Sequence, residues 1–82
     1  MTYALEWDEQ ALAAASRFLD DAGGLRSVLD TLDLFADDPW SADATRVGSD
    51  SRLRIRIGRY RVMVEIDDAA KAVRVLHVGR LG

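Results

Sequence analysis

The chain has no cysteine, one histidine and one proline among its 82 residues. Lacking cysteine, it can form no disulfide, no thiolate nucleophile and no Cys-ligated zinc or iron–sulfur centre. A lone histidine, His77, leaves too few soft ligands for a histidine-rich metal centre, and no cofactor is expected. With a single proline, about half the residues apolar and 30% charged, the composition is globular rather than disordered. No apolar run approaches the roughly 18 residues of a membrane span, and Met1-Thr2-Tyr3 leads into a strand pattern rather than a secretory leader. A cytoplasmic protein with no membrane partner is the expectation.

The length suits one domain over residues 1–82. So short a chain buries only about 60–65% of its unfolded surface, which favours an open groove over a deep pocket. The net charge of −3 conceals a split: residues 1–45 hold two arginines against ten acids, whereas residues 46–82 hold eight arginines and Lys71 against four acids. Such asymmetry can place a basic face on one half of a fold.

Tyr3, Leu5 and Trp7 alternate with polar or small neighbours, the period of a half-buried strand. Asp8 suits a helix N-cap, and Ala11, Leu12, Ala15, Phe18 and Leu19 share one face of the helix that follows. Gly23-Gly24 is expected to stop it, because glycine accepts the left-handed C-terminal conformation. A second helix from about Leu25 to Ala36 carries the stripe Leu25, Val28, Leu29, Leu32 and Phe35 and ends at Asp38-Pro39. Residues 40–51 are rich in Ser, Asp, Ala and Gly and are expected to connect as a loop. Arg52 to Ile57 then alternates strictly, Gly58-Arg59 reads as a two-residue hairpin turn, and Tyr60 to Ile66 returns. After an acidic turn over residues 67–70, Val73 to Val78 makes a last strand. The order predicts an α+β fold, β-α-α-β-β-β, with an N-terminal helical hairpin packed on one face of a small, mostly antiparallel sheet.

With Gly58 and Arg59 as the turn, Ile57 opposes Tyr60, Arg56 opposes Arg61, Arg54 opposes Met63 and Arg52 opposes Glu65. One face of the hairpin thus carries Arg52, Arg54, Arg56 and Arg61 with one acid, and the other carries the aliphatics. Like charges opposed across a strand pair destabilise it by a few tenths of a kcal/mol or more, so the pattern suits a polyanion whose phosphates arginine grips in two places. A solvated outer face or a surface covered by an acidic peptide remains open at this point. His77 fits either strand face and is read first as a packed residue. Trp7 lies in a core phase, Trp40 beside Pro39 suits the helix–loop junction, and Glu65 is read first as a partner of Arg52 or Arg54 and second as a general base.

Three segments resemble the RelE/ParE toxins of type II toxin–antitoxin systems. They are Tyr3-Ala4-Leu5-Glu6-Trp7-Asp8-Glu9-Gln10-Ala11-Leu12, the helix Leu32 to Asp38-Pro39, and Leu53-Arg54-Ile55-Arg56-Ile57-Gly58-Arg59-Tyr60-Arg61-Val62 followed by Val75-Leu76-His77-Val78-Gly79-Arg80. The resemblance implies a metal-independent mRNA interferase that enters the ribosomal A site and is neutralised by a cognate antitoxin. In that chemistry the ribose 2′-hydroxyl attacks the adjacent phosphodiester, leaving a cyclic phosphate and a free 5′-hydroxyl. By position, the resemblance assigns Arg61 and Arg80 to phosphate stabilisation and Arg54 and Arg56 to holding the mRNA backbone; Arg52, on the same hairpin face, is expected to bind RNA with them. Such nucleases commonly carry lysine at the positions of Arg54 and Arg56, and a further arginine and a tyrosine beyond the Val-Gly element, none of which this sequence has. That departure keeps two alternatives: a ParE-like inhibitor of DNA gyrase, or a toxin-fold module that only binds.

Overall fold

The computed structural model describes residues 2–39, 45–47 and 49–81. Strand β1 (Ala4–Trp7) leads through Asp8 into helix α1 (Glu9–Ala15), a 3-10 turn at Ser16–Phe18 and helix α2 (Ala22–Asp37). Four strands follow, β2 (Thr45–Val47), β3 (Ser49–Ile57), β4 (Tyr60–Asp67) and β5 (Ala72–Arg80). They form a five-stranded sheet in the order β1-β5-β4-β3-β2. Strand β1 runs parallel to β5, and the other pairings are antiparallel.

The core lies between one sheet face and the two helices. Leu53, Ile55 and Ile57 from β3, Tyr60, Val62, Val64 and Ile66 from β4, and Val73, Val75 and Val78 from β5 are buried against Ala11, Val28, Leu32 and Phe35. The β3–β4 register is the one expected from a Gly58-Arg59 turn, with Ile57 opposite Tyr60 and Arg56 opposite Arg61. Gly58 has φ = 59°, the left-handed geometry that glycine tolerates at the first position of such a turn.

Three expectations are corrected. Gly23 and Gly24 do not stop a helix; they lie in the first turn of α2, and Asp21 is its N-cap, accepting a hydrogen bond from the Gly24 N–H at 3.1 Å. Chain reversal occurs earlier, in the 3-10 segment, so α1 is short. Its close approach to β5 uses the small Ala11 and Ala14, while Leu12 and Leu19 remain 55% and 71% exposed. In α2 the buried stripe is Val28, Leu32, Phe35 and Ala36, and Leu29 is exposed. Finally, the expected loop over 40–51 contains strand: Thr45–Val47 pairs along the outer edge of β3, which itself begins at Ser49. Backbone pairing at an edge needs no apolar alternation, so composition did not signal it. The expectation for Trp40 lies outside the described residues.

Candidate nucleic-acid interface

On the sheet face opposite the helices, cross-strand register arranges the polar side chains in rungs. One rung runs Arg52, Glu65, Arg74, Glu6 across β3, β4, β5 and β1. Its charges alternate and touch in sequence: Arg52 Nε donates to Glu65 Oε2 at 3.3 Å, Arg74 Nη1 lies 3.6 Å from Glu65 Oε1, and Arg74 Nη2 lies 3.9 Å from Glu6 Oε1. Exposed pairs of this kind add little stability, but they cancel charge at that end of the sheet.

The next two rungs are different. Arg54 pairs with Met63 and Met63 with His77; Arg56 pairs with Arg61 and Arg61 with Gly79. Arg54, Arg56 and Arg61 are exposed and make no ion pair among the described residues. Beside them lies an open depression of about 320 Å³, lined by Arg54 and Arg61 with Met63, His77, Gly79, Arg80 and Leu81. Gly79 makes room: a Cβ there would lie 3.6 Å from His77 Nε2, so any larger side chain would enter the depression. The arrangement offers fixed positive charge above a shallow floor, suited to the oxygens of a phosphodiester backbone.

Arg80 borders the same depression, but its guanidinium is engaged on the helix side. It stands opposite Tyr60, whose side chain is buried under the helices. Its guanidinium carbon lies 4.6 Å from the Phe18 ring centroid, and Nη1 lies 3.6 Å from Asp20 Oδ1. The Tyr60 hydroxyl, then the Asp20 carboxylate, hold its proton more tightly still against the opposing effect of desolvation. Beside it the Tyr60 hydroxyl donates to Asp21 Oδ2 at 2.8 Å, and Arg59 Nη2 lies 3.7 Å from the same oxygen. The Tyr60 hydroxyl and the Gly24 N–H together lower the Asp21 pKa. Burial, then the bond to Asp21, raises that of Tyr60. This cluster fastens the β3–β4 turn to the start of α2.

No family model and no curated protein matches the sequence. Solved structures do match. The isolated Escherichia coli RelE toxin superposes with a TM-score of 0.81 at 23% identity, over 99% of this chain and 86% of that one. The archaeal RelE–RelB complex of Pyrococcus horikoshii gives 0.78 at 21% identity, over 100% of this chain and 98% of that one. The toxin–antitoxin complex RelBE2 of Mycobacterium tuberculosis gives 0.73 at 18% identity, over 99% and 100%. This chain has the RelE fold.

Within that RelE fold, the structure gathers three of the expected site arginines, Arg54, Arg56 and Arg61, on one face. Arg52 shares the face but belongs to the neutral rung, and Arg80 turns its guanidinium toward the helices because Gly79 takes the adjacent outward position. The sequence reading missed two members of the site. His77 is exposed rather than packed, and Gly79 forms part of the floor. Register shifts between Met63 and Val64, leaving Leu76 as an extra residue in β5. That bulge lets His77 and Val78 take outward and inward positions although strict alternation from Val75 would reverse them. A sequence signal existed: Val75 and Val78, both apolar, stand three residues apart.

Proposed function

We propose that this chain is a RelE-family toxin of a type II toxin–antitoxin system that cuts ribosome-bound mRNA in the cytoplasm and is silenced by a cognate antitoxin. The observation that carries the reading is the exposed face of Arg54, Arg56 and Arg61, which make no ion pair among the described residues, beside an open depression that Arg54 and Arg61 line. In-line attack of a 2′-hydroxyl builds negative charge on a pentavalent phosphorus, and donors already in place stabilise it without reorganising. Arg61 serves the phosphorane, while Arg54 and Arg56 hold the flanking backbone. The antitoxin has a second surface to cover: Trp7, Leu12, Leu25, Leu29 and Val78 line an apolar groove of about 220 Å³ beside the helices. An amphipathic partner helix suits such a groove.

In a translation extract the purified chain is expected to arrest synthesis with cuts mapped to single codons. Arg61→Ala should slow cutting by about 100-fold, the scale of removing one charge-stabilising donor. Intact mRNA at micromolar protein refutes the nuclease reading. One observation favours a second reading, in which the same face binds DNA gyrase without cutting: Arg80 borders the depression, but its guanidinium is engaged by Phe18 and Asp20. Inhibition of supercoiling with mRNA left whole would select it, and failure in both assays would leave a binding module.

A further inference from the structure

Cleavage through a ribose 2′-hydroxyl needs a group that takes its proton. Arginine does not serve at neutral pH, because guanidinium gives up its proton only above about pH 12. Of the described residues lining the depression, His77 alone has a side chain that accepts a proton readily. Glu65, the carboxylate on the same face of β4, is held between Arg52 at 3.3 Å and Arg74 at 3.6 Å in the neutral rung. His77 is exposed, sits one strand from Arg61 and two from Arg54, and lines the depression with them. Its Nε2 lies at the edge of the space above Gly79, where a Cβ would come within 3.6 Å.

We infer that His77 is the proton acceptor of the cleavage, an inference that rests on the nuclease reading proposed above. The neutral imidazole takes the proton of the 2′-hydroxyl as the 2′-oxygen bonds to phosphorus. The bond from phosphorus to the 5′-oxygen breaks, its electron pair leaves on that oxygen, and a water molecule supplies the proton that makes the 5′-hydroxyl. The imidazolium then returns its proton to solvent, so atoms and charge balance with water as the only co-reactant. Arg54 and Arg61 border the same space and hold the phosphate against the imidazole.

Single-turnover cutting of ribosome-bound mRNA tests this with the full chain and its His77→Ala, His77→Gln and Gly79→Val variants, each checked by circular dichroism for a folded state. His77→Ala and His77→Gln should cut about 100-fold or more slowly, the usual contribution of general base catalysis, while still binding ribosomes. Free imidazole in the buffer should restore a substantial part of the rate to His77→Ala and nothing to His77→Gln, whose amide fills the gap. Gly79→Val, which screens Nε2 without removing a charge, should also slow cutting. Wild-type speed in His77→Ala, or a slow variant that imidazole does not rescue, overturns the assignment and leaves the nuclease reading standing. A wild-type chain that never cuts overturns both.

Discussion

Adjacent glycines in α2 should respond in opposite directions to the same substitution. Alanine at an ordinary helical position is favoured over glycine by about 0.5–1 kcal/mol, because glycine loses more backbone freedom on folding. At Gly23 a Cβ would meet nothing within 4 Å, so Gly23→Ala should gain that full amount. At Gly24 a Cβ would run into the Asp21 carboxylate and approach Tyr60 Cε2 to 2.8 Å. Neither neighbour has an easy retreat. Asp21 caps the helix and accepts the Tyr60 hydrogen bond, and Tyr60 is 2% exposed within the core. Forcing a methyl group into filled space costs about 1–3 kcal/mol. After the helical gain is set against it, Gly24→Ala should lose about 1–2 kcal/mol. With a urea slope of about 1 kcal/mol/M for a small chain, the two variants should have midpoints about 1.5–3 M apart, on either side of wild type. Urea titration followed by circular dichroism measures this directly. A Gly24→Ala variant as stable as Gly23→Ala would refute the account of the Asp21–Tyr60 clamp.

The same clamp should give stability a two-sided pH dependence. Asp21 has its folded pKa lowered by the Tyr60 hydroxyl and the Gly24 N–H, so its contribution is present above the ordinary value of 3.8 and is lost as pH falls through the folded value. Tyr60 has its folded pKa raised by burial and by Asp21, so its contribution holds below the ordinary value of 10.0 and fades as pH rises past it. Tyr60→Phe should flatten both limbs of a plot of urea midpoint against pH; unchanged limbs would place the titration elsewhere. Arg56 faces Arg61 directly across β3 and β4, so Arg56→Glu should raise fold stability by about 0.5 kcal/mol while weakening retention on ribosomes. Loss of both stability and binding would mean that the pair is not repulsive in the folded chain.

Much of the site was legible because a two-residue turn leaves no freedom of register. Once Gly58 and Arg59 are the turn, every partner of Arg52, Arg54, Arg56 and Arg61 follows, and the alternation of arginine with aliphatic residues says which face is wet. The glycine pair was misread because the same two residues can end one helix or open the next. Asp21, three residues before Gly24, was the capping signal that distinguishes the cases. The neutral rung was half visible. Arg52 and Glu65 are joined by the hairpin, but Arg74 and Glu6 reach them only through β5 pairing with β4 and, in parallel, with β1.

From residue order alone came the order of the main elements, the inward and outward phases of β3 and β4, and the concentration of arginine on one side. These follow from short-range geometry: a tight turn sets register, and side chains alternate every residue along a strand. Tertiary structure decided which of those arginines have no ion-pair partner among the described residues, that the Arg80 guanidinium meets the helices, and that His77 faces the depression. Each depends on β5, whose extra residue at Leu76 shifts the phase partway along the strand. A bulge is the outcome of fitting one strand to two neighbours and a core at once; the three-residue spacing of Val75 and Val78 is its one local trace, and pairing with β4 sets where it falls.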